Sequence, residues 1–436
     1  MELPDIESAG ADDRVVIVGG GQAGAECAAT LRMLGFAGPI TILSEEPTHP
    51  YSRPPLSKGY LLGDVTSTDL YIRPPATYED QRVEVRLATR ATAIDRDTQT
   101  VRTDGPDGVD DVSYDWLVLA TGGRARLLPD SGAHAASNVH TLRRLADIDE
   151  MRAQFTPGAR LAVLGGGYVG LEVAAVARKS GLDVTVVEAG PRVLARVTLP
   201  LVSDFYERIH KEHGVDIRTC RFVESVEVGA DGRAVAVKLS DGVTLPIDLI
   251  VVGIGMKAND ELAHDAGLAV DEGVVVDEFC RTTDPRILAV GDCTRHPCAQ
   301  NGGLRRVESV PNALEQAKVV AAALTGNARP YDAIPWFWSD QYDVKLQVVG
   351  LCPSHDEIVV RGSADEGRSF SLFYLKDGAI RAADVVNNPR DFMVAKKLVA
   401  MQAEVDTSRL ADPATPLREL LVDATAEAPG NGSRDG

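Results

Sequence analysis

A β-branched run that breaks into glycines and continues as a small-residue helix occurs twice in this chain, and no other feature restricts its folding as much. The first copy is Arg14-Val-Val-Ile-Val-Gly-Gly-Gly-Gln-Ala-Gly, with Gly19, Gly21 and Gly24 in G-x-G-x-x-G spacing. An uninterrupted apolar run of this length is the pattern of a strand buried on both faces of a parallel sheet. The first glycine permits a tight turn, the second lets backbone approach a pyrophosphate, and the third lets helix and strand pack closely. The helix start then offers unpaired N–H groups to an anion. A second strand, Ile40-Thr-Ile-Leu, leads to Glu45 about 20 residues beyond the third glycine, where the fingerprint requires a carboxylate for ribose hydroxyls.

The second copy is Arg160-Leu-Ala-Val-Leu-Gly-Gly-Gly-Tyr-Val-Gly, with Gly165, Gly167 and Gly170, and its next strand ends at Glu188. One such motif is weak support for a dinucleotide site; two, each completed by strand, helix and carboxylate, specify two. A carboxylate at Glu188 suits a ribose with free hydroxyls and repels a 2′-phosphate, so NADH is expected over NADPH. Further glycine-terminated strands, Asp115-Trp-Leu-Val-Leu-Ala-Thr-Gly-Gly and Leu249-Ile-Val-Val-Gly-Ile-Gly, follow each copy. Asp292 lies just past the short run Ile287-Leu-Ala-Val, where it reads equally as a polyol-binding carboxylate or as a turn or N-cap residue.

From about residue 331 the pattern changes to alternating strands separated by Asp-Glu-Gly and Lys-Asp-Gly turns, then two helical stretches near 389–402 and 416–427. This predicts an antiparallel sheet in a smaller α+β domain. The expected fold is therefore α/β: two Rossmann-like dinucleotide-binding domains plus a C-terminal α+β domain. The expected boundaries are a discontinuous first nucleotide domain over 1–120 and 255–330, a second inserted over 121–254, the α+β domain over 331–425, and a polar, glycine-rich tail over 426–436 expected to be disordered.

With 45 Lys+Arg against 64 Asp+Glu, the net charge of −19 disfavours nucleic acid as a partner. No uncharged apolar run reaches the roughly 18 residues of a membrane span. The acidic start, Met1-Glu-Leu-Pro-Asp, lacks the apolar core of a secretory signal, and six scattered cysteines without a Cys-x-x-Cys pair suit neither a disulfide framework nor a metal site. A cytoplasmic protein with structural cysteines is expected.

More specific segments decide the branch. Tyr51-Ser-Arg-Pro-Pro-Leu-Ser-Lys, Leu70-Tyr-Ile-Arg-Pro, Leu117-Val-Leu-Ala-Thr-Gly-Gly-Arg, the second fingerprint, Glu308-Ser-Val-Pro-Asn-Ala-Leu-Glu-Gln-Ala and Pro335-Trp-Phe-Trp-Ser-Asp-Gln-Tyr are similar to those of a flavoprotein family. The chain resembles, from about residue 13 to 425, the FAD-dependent NADH:ferredoxin reductases of bacterial cytochrome P-450 systems, in the pyridine nucleotide-disulfide oxidoreductase superfamily of glutathione-reductase-type fold. The resemblance implies FAD contacts at Gly19, Gly21, Ala23, Gly24, Glu45, Lys58, Ala91, Arg143, Asp292 and Val310, with Trp338 shielding the ring. It implies NADH contacts at Gly165, Gly167, Gly170, Glu172, Glu188 and Gly255. Lys58, otherwise readable as a solvated lysine, would face the flavin and stabilise negative charge on the reduced ring. The implied activity passes a hydride from NADH to FAD and single electrons to a 2Fe–2S ferredoxin that supplies a cytochrome P-450. No side chain is needed as acid or base.

Close alternatives are the ferredoxin reductase of an aromatic-ring dioxygenase and a rubredoxin reductase; a signalling flavoprotein resembling apoptosis-inducing factor is the alternative outside electron supply. A disulfide reductase needs a thiol beside the flavin, and residues 44–90 contain none. Because a ferredoxin partner is usually acidic, docking to a chain of −19 requires a local basic cluster, for which Arg73, Arg305 and Arg306 are the candidates.

Overall fold

The structure, a computed structural model, describes residues 7–128, 133–298, 300 and 302–427; positions 428–436, most of the expected tail, lie outside the described residues. The chain divides into two compact units, one of Met1–Ala195 with Glu207–Ala333 and one of Arg196–Tyr206 with Ile334–Gly436.

The first unit holds two five-stranded parallel sheets. The strands are β1 (Val15–Val18), β2 (Ile40–Leu43), β3 (Val83–Arg86), β4 (Trp116–Leu119), β5 (Val139–Thr141), β6 (Arg160–Leu164), β7 (Asp183–Val187), β8 (Asp216–Arg218), β9 (Leu249–Val252) and β10 (Ile287–Ala289). The first sheet runs β10-β4-β1-β2-β3 and the second β8-β7-β6-β9-β5. The two orders superpose strand for strand, β1 on β6 and β2 on β7, but the fifth strand of the first sheet is supplied by residues that follow the whole second sheet. Each fingerprint helix, α1 (Gln22–Met33) and α2 (Tyr168–Lys179), follows the central strand.

The apolar runs are buried on both faces. Val15 and Ile17 pack with Ala28, Leu31 and Val320, whereas Val16 and Val18 pack with Leu117, Leu119 and Ile287. That alternation is what a strand covered on both sides requires. Helix α3 (Val310–Leu324) covers the first sheet beside α1, both lined with alanine so that the helices approach closely.

In the second unit the expected antiparallel sheet is present, in the order β11-β12-β15-β14-β13, formed by β11 (Trp336–Gln341), β12 (Val344–Gly350), β13 (Glu357–Gly362), β14 (Phe370–Lys376) and β15 (Ala379–Val386). Helices α4 (Pro389–Met401) and α5 (Leu417–Glu427) cover the face that buries Phe373, Leu375 and Val385. Arg196–Tyr206, within the range expected for the inserted nucleotide domain, belongs to this unit. Phe205 packs edge-on against Phe370 with ring centres 5.1 Å apart. The Thr198 hydroxyl donates to Asp384 Oδ2, which also accepts from the Tyr374 hydroxyl at 2.6 Å. Asp384 is fully buried, and burial pushes its carboxyl up to about 6 against the opposing pull of the two hydroxyls.

Candidate functional site

The glycines of both fingerprints occupy three distinct environments. Gly19 and Gly165 have φ of +125° and +108°, and a Cβ would lie 2.1 Å from the Ala120 carbonyl oxygen and 2.5 Å from that of Gly253. Gly24 and Gly170 would each put a Cβ 2.1 Å from the carbonyl oxygen of the first glycine, so they let the helix rest on its own turn. Gly21 and Gly167 differ: a Cβ there meets nothing within 4 Å. They border open space, where bare backbone is useful only to something that approaches from outside. Neither helix N-terminus is capped by a side chain, which leaves first-turn N–H groups for an anion.

A cleft of about 1380 Å³ opens at the first turn, lined among others by Gly19, Glu45, Ala91, Arg143, Arg144 and Arg306. Arg143 reaches Asp292 at 3.1 Å, and both side chains are about four-fifths buried. The resemblance put these two residues on one ligand, and the ion pair brings them together. Burial lowers the Arg143 guanidinium while Asp292 opposes the shift. Val310 is the first residue of α3, whose start is capped by Ser309, and Ala23 lies in the first turn of α1.

The two fingerprint carboxylates are not equivalent. Gly19 N–H donates to Leu43 O and Gly165 N–H to Val187 O, which sets Ser44 and Glu188 in the same position. Glu45 is one residue further along, exposed, and paired with Arg144 at 3.1 Å. Glu188 accepts N–H bonds from Gly166 and Gly190, both at 2.6 Å, so its carboxylate is fixed against the second turn. Gly255, with φ +106°, lies three residues past β9, and its carbonyl accepts from the Arg126 N–H.

Lys58 and Glu172, assigned separately to two cofactors from the sequence, form one ion pair of 2.7 Å. Glu172 is 4% exposed and takes a further hydrogen bond of 2.5 Å from the Ser57 hydroxyl. This joins the Pro-Pro-Leu-Ser-Lys turn of the first nucleotide unit to the fingerprint helix of the second. Other residues were not singled out from the sequence: Arg53 donates to Glu46 at 2.7 Å and to the Arg143 carbonyl at 2.5 Å, and the Tyr51 hydroxyl donates to Glu46 at 2.6 Å. Both Tyr51 and Arg53 belong to the quoted Tyr51-to-Lys58 motif, which was the available signal.

Of the basic candidates, Arg73 pairs with Glu26 at 2.9 Å and Arg306 with Glu308 at 2.9 Å, whereas Arg305 is exposed and has no ion pair among the described residues. Trp338 lies on β11 in the second unit, 5.6 Å from the Trp336 ring. All six cysteines are unpaired thiols; Cys27, Cys280 and Cys293 are buried, and burial pushes each thiol up, away from the reactive thiolate. No cluster of metal-ligating side chains occurs among the described residues, and no described helix is long and apolar enough to cross a membrane.

Comparison with known proteins agrees over most of the chain. Residues 13–317 match the pyridine nucleotide-disulphide oxidoreductase family and residues 336–421 the reductase C-terminal family. The chain is 46% identical to putidaredoxin reductase CamA of Pseudomonas putida, over 96% of this chain and 99% of that one. It is 44% identical to rhodocoxin reductase of Rhodococcus erythropolis, over 91% and 92%. A solved structure, the covalent putidaredoxin reductase–putidaredoxin complex, superposes with a TM-score of 0.92 over 96% of this chain and 100% of that one, at 46% identity.

Proposed function

Because the chain belongs to the pyridine nucleotide-disulphide oxidoreductase family, we propose that it is an NADH-dependent ferredoxin reductase carrying FAD, and that its iron–sulfur partner supplies a cytochrome P-450. The observation that carries the reading is the paired set of fingerprint turns, each with one glycine facing open space, beside which the Lys58–Glu172 pair joins the Pro-Pro-Leu-Ser-Lys turn to the second fingerprint helix.

The residues fit FAD at the first turn: Gly21 offers bare backbone, Glu45 and Ala91 border the cleft, and Arg143 with Asp292 offers a cation and a carboxylate to phosphate and polyol. FAD, when bound, supplies the conversion of a two-electron hydride into single electrons. The chain's own part is to bind, orient and adjust charge. Gly167 admits the NADH pyrophosphate, and Glu188, held by two N–H groups, accepts from the adenosine ribose and repels a 2′-phosphate. The Lys58 ammonium offers positive charge toward the flavin side while Glu172 balances it in the resting protein. In the same reading residues 1–120 and 255–330 form the FAD domain and 121–254, less the Arg196–Tyr206 segment that groups with the C-terminal unit, the NADH domain, and the role of Trp338 rests on the resemblance.

Disulfide reduction is disfavoured because no thiol lies in 44–90 and Cys293, next to Asp292, is buried and hydrogen-bonded to backbone carbonyls. Docking of an acidic partner falls to Arg305 first, since Arg73 and Arg306 already have carboxylate partners. The test is to load the chain with FAD and compare NADH with NADPH as donor, and a 2Fe–2S ferredoxin, a rubredoxin and a disulfide as acceptors. Ferredoxin reduction with NADH is expected; faster reduction of the disulfide, or no ferredoxin reduction at all, would overturn the proposal. Arg305→Glu is expected to raise the ferredoxin KM while NADH-dependent ferricyanide reduction is unchanged.

A further inference from the structure

Gln316 lies in the second turn of α3 with no surface exposed. Its Oε1 accepts the Gly291 N–H at 2.7 Å, and the Thr294 hydroxyl lies 3.1 Å from it and the Asn312 side-chain nitrogen 3.4 Å. The Gly291 N–H and the Asn312 amide nitrogen can only donate, so they fix the amide orientation: turning it over would face a nitrogen to both. The Gln316 nitrogen is then buried with no hydrogen-bond partner. A methionine of similar length would exchange that loss for an unpaired Gly291 N–H, so what the glutamine adds is its hold on the Gly291 turn.

What the oxygen holds is the turn that carries Asp292. Gly291 has φ +82°, and a Cβ there would stand 3.1 Å from the Ala23 Cβ of α1. The turn is thus wedged between the first fingerprint helix and α3. The same network reaches the start of α3: Asn312 donates to the Val307 carbonyl at 2.9 Å and accepts from the Tyr331 hydroxyl at 2.8 Å. One buried amide therefore ties together Gly291, Thr294 and Asn312.

We propose that Gln316 is a positioning residue for the flavin cofactor: by holding the Gly291 N–H it fixes Asp292, and through Asn312 the segment leading to Val310, before FAD arrives. The inference rests on the reading of the first turn as an FAD site. Gln316 acts through the Asp292 turn.

The test uses FAD-stripped full-length chain, with FAD titrated by quenching of its fluorescence and apoprotein stability followed by urea unfolding. Gln316→Met removes the acceptor and, at the same time, the unpartnered nitrogen. The apoprotein midpoint should stay near wild type while the FAD Kd rises about tenfold or more. Thr294→Val, which removes the hydroxyl that lies 2.9 Å from Gly291 O and 3.1 Å from Gln316 Oε1 and shares its one proton between them, should raise the FAD Kd about threefold. The proposal is overturned by a folded Gln316→Met chain with wild-type FAD affinity, or by an affinity loss that merely tracks a loss of apoprotein stability. Should Gln316→Met not fold, Thr294→Val decides alone, and an unchanged Kd there overturns it. A wild-type chain that takes no FAD would instead refute the proposed function from which the inference starts.

Discussion

Alanine at the second and third fingerprint glycines should separate cofactor binding from folding. Gly21 has φ −95° and ψ −166°, a conformation open to any residue, and its Cβ would meet nothing within 4 Å. Replacing such a glycine removes unfolded-state freedom and stabilises by about 0.4–1 kcal/mol. Gly24→Ala places the methyl 2.1 Å from a backbone oxygen, where ordinary contact begins near 3.4 Å, so helix and turn must part by about 1.3 Å. No flexible side chain can yield there, and overpacking of this kind costs about 3 kcal/mol or more. The two apoproteins should therefore differ by about 4 kcal/mol in urea unfolding, Gly21→Ala being the more stable. Their FAD affinities invert that order in cause: Gly21→Ala folds well but fills the space a pyrophosphate would take, and its FAD Kd should rise about 100-fold. Gly167→Ala is the internal control, retaining FAD and raising only the NADH KM. Equal stability of the two apoproteins, or wild-type FAD affinity in Gly21→Ala, would refute the division of labour among the glycines.

Three other outcomes follow from single contacts. Lys58→Met takes the cation away from a carboxylate that is 4% exposed, and should destabilise the chain by about 2–3 kcal/mol in urea, with Lys58→Met/Glu172→Leu recovering most of it. Glu188→Gln removes one negative charge from the ribose position; at about 5 Å in a partly screened site this amounts to about 1–3 kcal/mol against a 2′-phosphate, so the NADH-to-NADPH ratio of kcat/KM should fall by about 5- to 150-fold. Asp384 has a carboxyl raised from 3.8 to about 6 in the folded chain, so its contribution is most favourable below pH 4 and is lost as pH rises toward 6. Asp384→Asn should flatten that part of the pH–Tm curve and raise Tm at pH 7, and a wild-type slope in the variant would refute the assignment.

Much of the nucleotide-binding architecture was legible because it is local. Strand, turn and helix of each fingerprint lie within about 20 residues, and the surroundings of Gly19, Gly21 and Gly24 follow from backbone geometry alone. Relations between distant segments were not legible. Lys58 and Glu172 are separated by 114 residues, and no periodicity marks them as partners. The offset between Glu45 and Glu188 was hidden for a similar reason: counting from the glycines does not reveal a difference in loop length, whereas hydrogen bonds to Leu43 and Val187 fix the register. Gln316 resembled any polar residue on a helix until the burial of α3 placed it against the Asp292 turn.

The eleven residues Arg196–Tyr206 belong with the C-terminal sheet although they are encoded far upstream of it. Exchange of C-terminal domains between related reductases is therefore not a one-cut operation. A chimaera joined at residue 334 would inherit Asp384 and Phe370 from one parent and their companions Thr198 and Phe205 from the other. Modular recombination in such chains has two seams, and variation at 198 and 205 must keep step with variation at 384 and 370 for the graft to fold.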